Sequence, residues 1–153
     1  MRVFDFLQPD CIVARLEATT KAAVLAELSA HLAKVVPGVE ASALRHVLEE
    51  RELLASTAIG DGIAIPHGKL DSVGHLVGAL GRAVDGIEFE SIDGKPTHLI
   101  FMLVAPASST GVHLKALARL SRLFRDADFR QRLLAAPSAE AMYQVISEAD
   151  AKY

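Results

Sequence analysis

The stretch GIAIPHGKL, residues 62–70, sets His67 between a proline and a glycine at the end of a short apolar run. Near pH 7 an imidazole is largely neutral and keeps a free lone pair, so it can act as a nucleophile without a separate strong base. In layered α/β proteins, functional groups gather where strands give way to loops. Gly68 is expected to leave room for something to approach the ring. Two further side chains suit the same chemistry. Arg51 closes the series Leu44, Val47, Leu48, Arg51, spaced as one face of a helix. A guanidinium at the end of an inward face needs a carboxylate, a route to solvent or a bound anion, and its fork fits a phosphoryl oxygen. His113 shares a face with Leu117, Leu120 and Phe124, in the first turn of a helix whose free N–H groups attract anions. The hydroxyls before it, on Ser108, Ser109 and Thr110, are expected to cap that helix.

Each residue alone has a plain structural explanation: a histidine that ends a strand, an arginine that snorkels, a half-buried histidine satisfied by a carbonyl. Together they describe a nucleophilic imidazole with two groups able to hold a phosphoryl anion, where catalysis would be positioning and electrostatic stabilisation. Other motifs fit less well. GDGIAIPHGK has a phosphate-loop flavour, but Gly62 is one residue too far from Gly68-Lys69, and Leu70 stands where a hydroxyl would bind magnesium. Gly60 and Gly62 lack the third glycine of a dinucleotide fingerprint, and no G-x-S-x-G element occurs. None of the six histidines has metal-ligand spacing, so neither a metal nor a cofactor is expected; His31, His46, His75 and His98 read as structural or solvated.

These residues need a scaffold. CIVARLEA, 11–18, reads as a strand. Thr19 or Thr20 caps a helix with the stripe Leu25, Leu28, Leu32, Val35, which ends before Pro37-Gly38. A second helix follows over 41–54, and ASTAIGDG, 55–62, reads as loop. Residues 63–65, 75–84 and 98–105 read as strands, the last apolar at nearly every position and so covered on both faces. Asp85-Gly86 and Asp93-Gly94 read as turns. Three helices close the chain: one through about Phe124, a short one over 127–135, and a last one capped by Ser138. The order predicts a three-layer α/β/α single domain, residues 1–153, on a mixed β-sheet.

Half the residues, 51%, are apolar and 23% are charged, as in ordinary globular chains. The net charge of −3, with no basic stripe, argues against a nucleic-acid footprint. The longest apolar run, LIFMLVAPA at 99–107, is too short for a span of roughly 20 residues. MRVFDFLQPD lacks the apolar segment of a signal peptide, so a cytoplasmic location without membrane insertion is expected. The single Cys11 allows no internal disulfide and reads as a small core residue.

RELLASTAIGDGIAIPHGKL, 51–70, closely resembles the active-site signature of the enzyme IIA proteins of the bacterial phosphotransferase system, type 2, the fructose–mannitol superfamily. The similarity continues through DGKPTHLIFMLVAP, 93–106, and VHLKALARLSRLF, 112–124. HGKL after the proline, with no sugar-transport domain attached, brings it nearest to the nitrogen-regulatory branch. The resemblance implies that His67 accepts a phosphoryl group, at Nε2, from a phosphohistidine carrier protein (a nitrogen-type HPr). It implies that His113 is the second active-site histidine, that Arg51 is the motif arginine, and that Ser56 and Thr57 line the site. Nitrogen-type members regulate target proteins, such as potassium transport and sensor-kinase proteins, by their phosphorylation state. A sugar-specific member passing phosphoryl to a IIB domain is the alternative, and a binding module that takes no phosphoryl is a third.

Overall fold

The computed structural model describes residues 1–153. Thr20 caps α1 (Lys21–Val35), its hydroxyl accepting from Ala23 N–H at 3.2 Å, and Leu25, Leu28 and Leu32 are buried as their spacing demands. Glu40 caps α2 (Ala41–Leu54) through the amides of Ser42 and Ala43. The strands are β1 (Ile12–Val13), β2 (Ala58–Gly60), β3 (Ile63–Ala64), β4 (His67–Lys69), β5 (Val77–Ile87) and β6 (Thr97–Ala105). Then come α3 (Thr110–Phe124), α4 (Ala127–Ala135) and α5 (Ala139–Lys152), the last capped by Ser138.

The sheet order is β1-β5-β6-β3-β2, with β4 also on β6. β5 and β6 pair antiparallel, whereas β1 is parallel to β5, and β3 and β4 are parallel to β6. Every residue from Leu99 to Ala105 is buried, which requires cover on both faces. α1 and α2 pack together and against β5 and β4, while α3 packs on β6 and α5 on β1, giving the expected α/β/α layers. One continuous cluster of 45 buried apolar residues, Cys11 among them, makes this a single core.

Several elements differ from the sequence reading. The strand expected over 11–18 pairs only at Ile12 and Val13, because the amides of Glu17 and Ala18 turn to the Glu27 carboxylate; the Leu16 amide still donates to Arg82 O at 2.9 Å. The expected loop 55–62 contains β2, antiparallel to β3. Asp85-Gly86 does not reverse the chain: Gly86, at φ +80°, carries a bulge within β5, which therefore runs on to Ile87. Asp93-Gly94 is a turn as expected, with Gly94 N–H donating to Ser91 O at 3.0 Å.

One buried cation has no counterpart in the sequence reading. Arg82, 8% exposed, sits on β5 without a carboxylate. Its guanidinium donates instead to the carbonyl of Ala14, just after β1, and to those of Leu133, Leu134 and Ala136, the free acceptors at the C-terminal end of α4. The negative end of the helix dipole takes the place of a counter-ion.

Candidate functional site

The position of His67 follows from Pro66. Residues 63–69 run beside β6 as one strand broken in the middle, β3 before the break and β4 after it. Proline has no N–H to give the ladder. At the break the Ile65 amide turns away to Thr57 O at 3.0 Å, while Pro66 O still accepts from Leu103 N–H at 2.9 Å. The Ile65 carbonyl, on the side of the strand away from β6, meets the imidazole instead, with His67 Nδ1 2.8 Å from it. A carbonyl only accepts, so Nδ1 carries the proton and Nε2 carries the lone pair. Burial pushes the His67 pKa below the ordinary histidine value, aided by Arg51 and opposed by the Ile65 hydrogen bond and by Glu52. A pKa below that value leaves the ring neutral at pH 7, with its lone pair on Nε2.

His113 completes a pair. α3 begins at Thr110, and the His113 amide donates to Ser109 O at 3.0 Å, which fixes the ring in the first turn. The two imidazoles meet edge to face, centroids 5.3 Å apart and planes at 87°. His113 is only 6% exposed, and its Nδ1 has no hydrogen-bond partner. Burial, then the neighbouring His67 and Lys69, push its pKa down as well. The expected hydroxyl caps take a different form. Ser109 occupies the cap position without a side-chain bond, and Thr110 accepts instead from Lys69 Nζ at 2.8 Å. Lys69 thus brings a cation next to His113, a placement the sequence alone does not show.

Arg51 lies in the last turn of α2 and donates to Ala55 O at 2.9 Å. No carboxylate pairs with it, and its charge reaches the His67 ring. Of the outcomes open in the sequence, the carboxylate pair is therefore absent. Ser56 and Thr57 belong to the same neighbourhood but spend their hydroxyl protons elsewhere. Ser56 Oγ donates to Phe89 O at 2.6 Å, and Thr57, buried, donates to the Glu52 carboxylate. Both pin the segment that leads into β2. Gly68 also differs from expectation: the space a Cβ would take is filled by Val47 Cγ1, 2.6 Å away, so this glycine admits α2 rather than an incoming group.

Of the four remaining histidines, three have partners and His75 is exposed. His31 Nε2 contacts Asp10 O at 2.6 Å, His98 Nδ1 contacts Ala83 O at 3.1 Å, and His46 faces Glu50 on the helix surface. No group of three His, Cys, Asp or Glu side chains converges as metal ligands would. No helix is long and apolar enough to cross a membrane.

The chain that sets this pair of imidazoles at a strand break, with an unpaired arginine beside it, matches the family model of the EIIA 2 component of the phosphoenolpyruvate-dependent sugar phosphotransferase system over residues 5–149. The chain belongs to the EIIA type-2 family. Among its relatives is a nitrogen regulatory protein of Bradyrhizobium diazoefficiens, 42% identical over 147 residues, 96% of this chain and 95% of that protein. The fructose-specific EIIABC component of Bacillus subtilis is 37% identical over 98% of this chain, which corresponds to 24% of that larger protein. The crystal structure of the nitrogen regulatory protein IIA-Ntr of Neisseria meningitidis superposes with a TM-score of 0.88 at 32% identity, covering 94% of this chain and 98% of that one. As an EIIA-type chain the protein is a phosphoryl carrier of the phosphotransferase system.

Proposed function

We propose that the protein is a nitrogen-type phosphoryl carrier and regulator, spanning residues 1–153 as one EIIA unit, that accepts its phosphoryl group on Nε2 of His67. The observation that carries this reading is the bond from His67 Nδ1 to Ile65 O at 2.8 Å. It holds the tautomer whose Nε2 lone pair is free and aims the ring outward from the strand break. In the transfer, the N–P bond on the carrier histidine breaks and its electron pair stays on the carrier imidazole. The Nε2 lone pair of His67 forms the new N–P bond. The Nδ1 proton remains on the ring, and the Ile65 carbonyl stabilises the positive charge that the imidazole then bears. Arg51, free of any carboxylate, and the His113 ring packed against His67 supply donors for the phosphoryl oxygens.

A protein donor suits the surroundings. Leu53 and Leu54 beside Arg51, and Val112 and Leu114 beside His113, are exposed at 86%, 82%, 41% and 62%. Exposed apolar side chains flanking a reactive group mark a face that another protein covers. The expected donor is a phosphohistidine carrier of the nitrogen type. The expected targets are proteins such as potassium transporters and sensor kinases, read out by phosphorylation state. About −1.5 to −2 charges, by analogy with phosphorylated hydroxyls, would arrive in the middle of that face. Such a change exchanges one set of partners for another with no backbone rearrangement.

Intact-mass measurement after incubation with phosphoenolpyruvate and the two upstream carriers tests the reading, wild type against His67→Gln. One acid-labile phosphoryl group on wild type alone is expected. Uptake that survives the substitution would move the acceptor elsewhere, and no uptake in either would leave a binding module. The likeness to a fructose-specific EIIABC component favours a second reading, delivery to a IIB domain for sugar import. Rapid transfer from the phosphorylated protein to a fructose-type IIB domain, or complementation of fructose uptake, would select it.

A further inference from the structure

Glu52 follows Arg51 on α2, and nothing in the sequence assigns it a role. Its side chain is nevertheless only 6% exposed, an unusual burial for a carboxylate. Lys21, the first residue of α1, lies 2.7 Å from Glu52 Oε2. The amide of Thr57 donates to the same oxygen at 3.2 Å, and the Thr57 hydroxyl donates to the other. Thr57 O then accepts from Ile65 N–H at 3.0 Å, and Ile65 O accepts from His67 Nδ1 at 2.8 Å. An unbroken series of polar contacts therefore runs from α1, through α2 and the segment before β2, to the reactive imidazole.

A buried ion pair contributes little net stability compared with well-packed apolar residues. Anchoring Thr57 alone does not require a charge. What a charge adds is a field, and the site receives a dianion. We propose that Glu52, partly neutralised by Lys21, is a positioning residue that sets the phosphoryl-transfer equilibrium of His67: its carboxylate opposes retention of the phosphoryl group, and Lys21 moderates that opposition. The inference rests on His67 being the acceptor. The fields of Glu52 and Arg51 both reach the His67 ring, with opposite signs. Arg51 favours the bound phosphoryl group and Glu52 disfavours it, so the group is held without being trapped. A carrier that must pass phosphoryl on, or report it reversibly, needs that balance.

Charge and structure separate cleanly by sign. Glu52→Gln keeps the size and an acceptor for Thr57 but removes the negative charge. Lys21→Met removes the positive charge and leaves Glu52 in place. Each variant is equilibrated, at mildly alkaline pH, with purified phosphorylated HPr-type carrier, and the phosphorylated fractions of both proteins are measured by intact mass. Glu52→Gln is expected to shift the transfer constant toward the phosphorylated protein by about threefold or more, the equivalent of about half a pKa unit. Lys21→Met is expected to shift it by a similar factor in the other direction, and the double variant to return near wild type. Loosening of Thr57 alone would move both single variants the same way, and that result overturns the proposal, as do two constants equal to wild type. Thermal melts establish folding, and if Glu52→Gln does not fold, the direction of the Lys21→Met shift decides. Wild type that takes no phosphoryl, or His67→Gln that still takes it, would instead remove the acceptor reading, an outcome distinct from unchanged constants in competent protein.

Discussion

Gly68→Ala probes how α2 is held against the reactive strand. A Cβ at residue 68 would lie 2.6 Å from Val47 Cγ1, 0.8 Å short of the 3.4 Å at which ordinary contact begins, with Leu48 Cδ2 at 3.7 Å behind it. Val47 cannot easily swing aside, because a β-branched side chain on a helix has one strongly preferred rotamer. Relief must come from moving α2 and β4 apart. Overpacking of this kind costs about 1–3 kcal/mol. For a chain of this size that lowers Tm by roughly 3–10 °C. α2 carries Arg51 and Glu52, and β4 begins at His67, so the same displacement would disturb the site.

Calorimetry of Gly68→Ala, Val47→Ala and the double variant gives the coupling directly. Val47→Ala alone should lose about 1 kcal/mol or more for its partly buried methyl groups. In the double variant the cost of Gly68→Ala should largely vanish, a coupling of about 1–2 kcal/mol. Phosphoryl uptake, slowed in Gly68→Ala, should recover with it. A Gly68→Ala protein as stable as wild type, or one whose loss is undiminished when combined with Val47→Ala, would refute the packing argument. Normal stability with lost uptake would restore the other role for this glycine, space for an incoming group.

His67 and His113 both have depressed pKa values, so below the ordinary histidine value the unfolded chain binds protons that the folded chain resists. Their contribution to stability is therefore present above that value and is lost as pH falls through the lower, folded values; urea titrations across this range should show it, and His113→Asn should flatten the dependence. NMR titration of the two rings should give midpoints below ordinary histidine, and a midpoint raised for either would contradict the burial argument. Asp150, 0% exposed on α5, accepts from the amides of Val3 and Phe4 and pairs with Arg119 at 3.0 Å. Asp150→Ala leaves those amides without an acceptor and leaves Arg119 with only the Asp150 and Tyr153 carbonyls and no counter-ion, and should cost about 3–5 kcal/mol in urea unfolding, with phosphoryl uptake intact in the protein that remains folded; a loss under about 1 kcal/mol would mean the amides find water instead.

The layers were legible because they rest on periodicity and capping. Leu25, Leu28 and Leu32 are spaced as a buried stripe, Thr20 and Ser138 cap as their side chains suggest, and 99–105 is apolar throughout and covered on both faces. Residues 67–69 were not readable as a strand, since three residues of mixed polarity carry no period and their pairing depends on β6, more than thirty positions away. The types and local positions of His67, Arg51 and His113 could be read, and their resemblance to a known signature could be seen. Their meeting could not, because it depends on α3 packing over β6 and α2 on β4. Glu52 was invisible for a different reason: beside Arg51 on a helix it looks like a solvated charge, and only Lys21 and Thr57 reveal that it is buried. Arg82 likewise gave no sign that carbonyls more than fifty residues ahead would satisfy it.

The proline before His67 links these levels. Along residues 63–69 the backbone groups point alternately toward β6 and away from it. Pro66 O accepts from Leu103 N–H on the β6 side, whereas Ile65 faces the other side, where its amide donates to Thr57 O and its carbonyl is left to the His67 ring. Thr57 in turn is held by the buried Glu52 carboxylate. The backbone beside the strand break therefore orients the imidazole and fixes its tautomer. Substituting Pro66 by a residue with an N–H would add a donor on the β6 side and leave the Ile65 carbonyl to His67, so the tautomer should survive Pro66→Ala; loss of the Nδ1 hydrogen bond in its NMR spectrum would refute this reading.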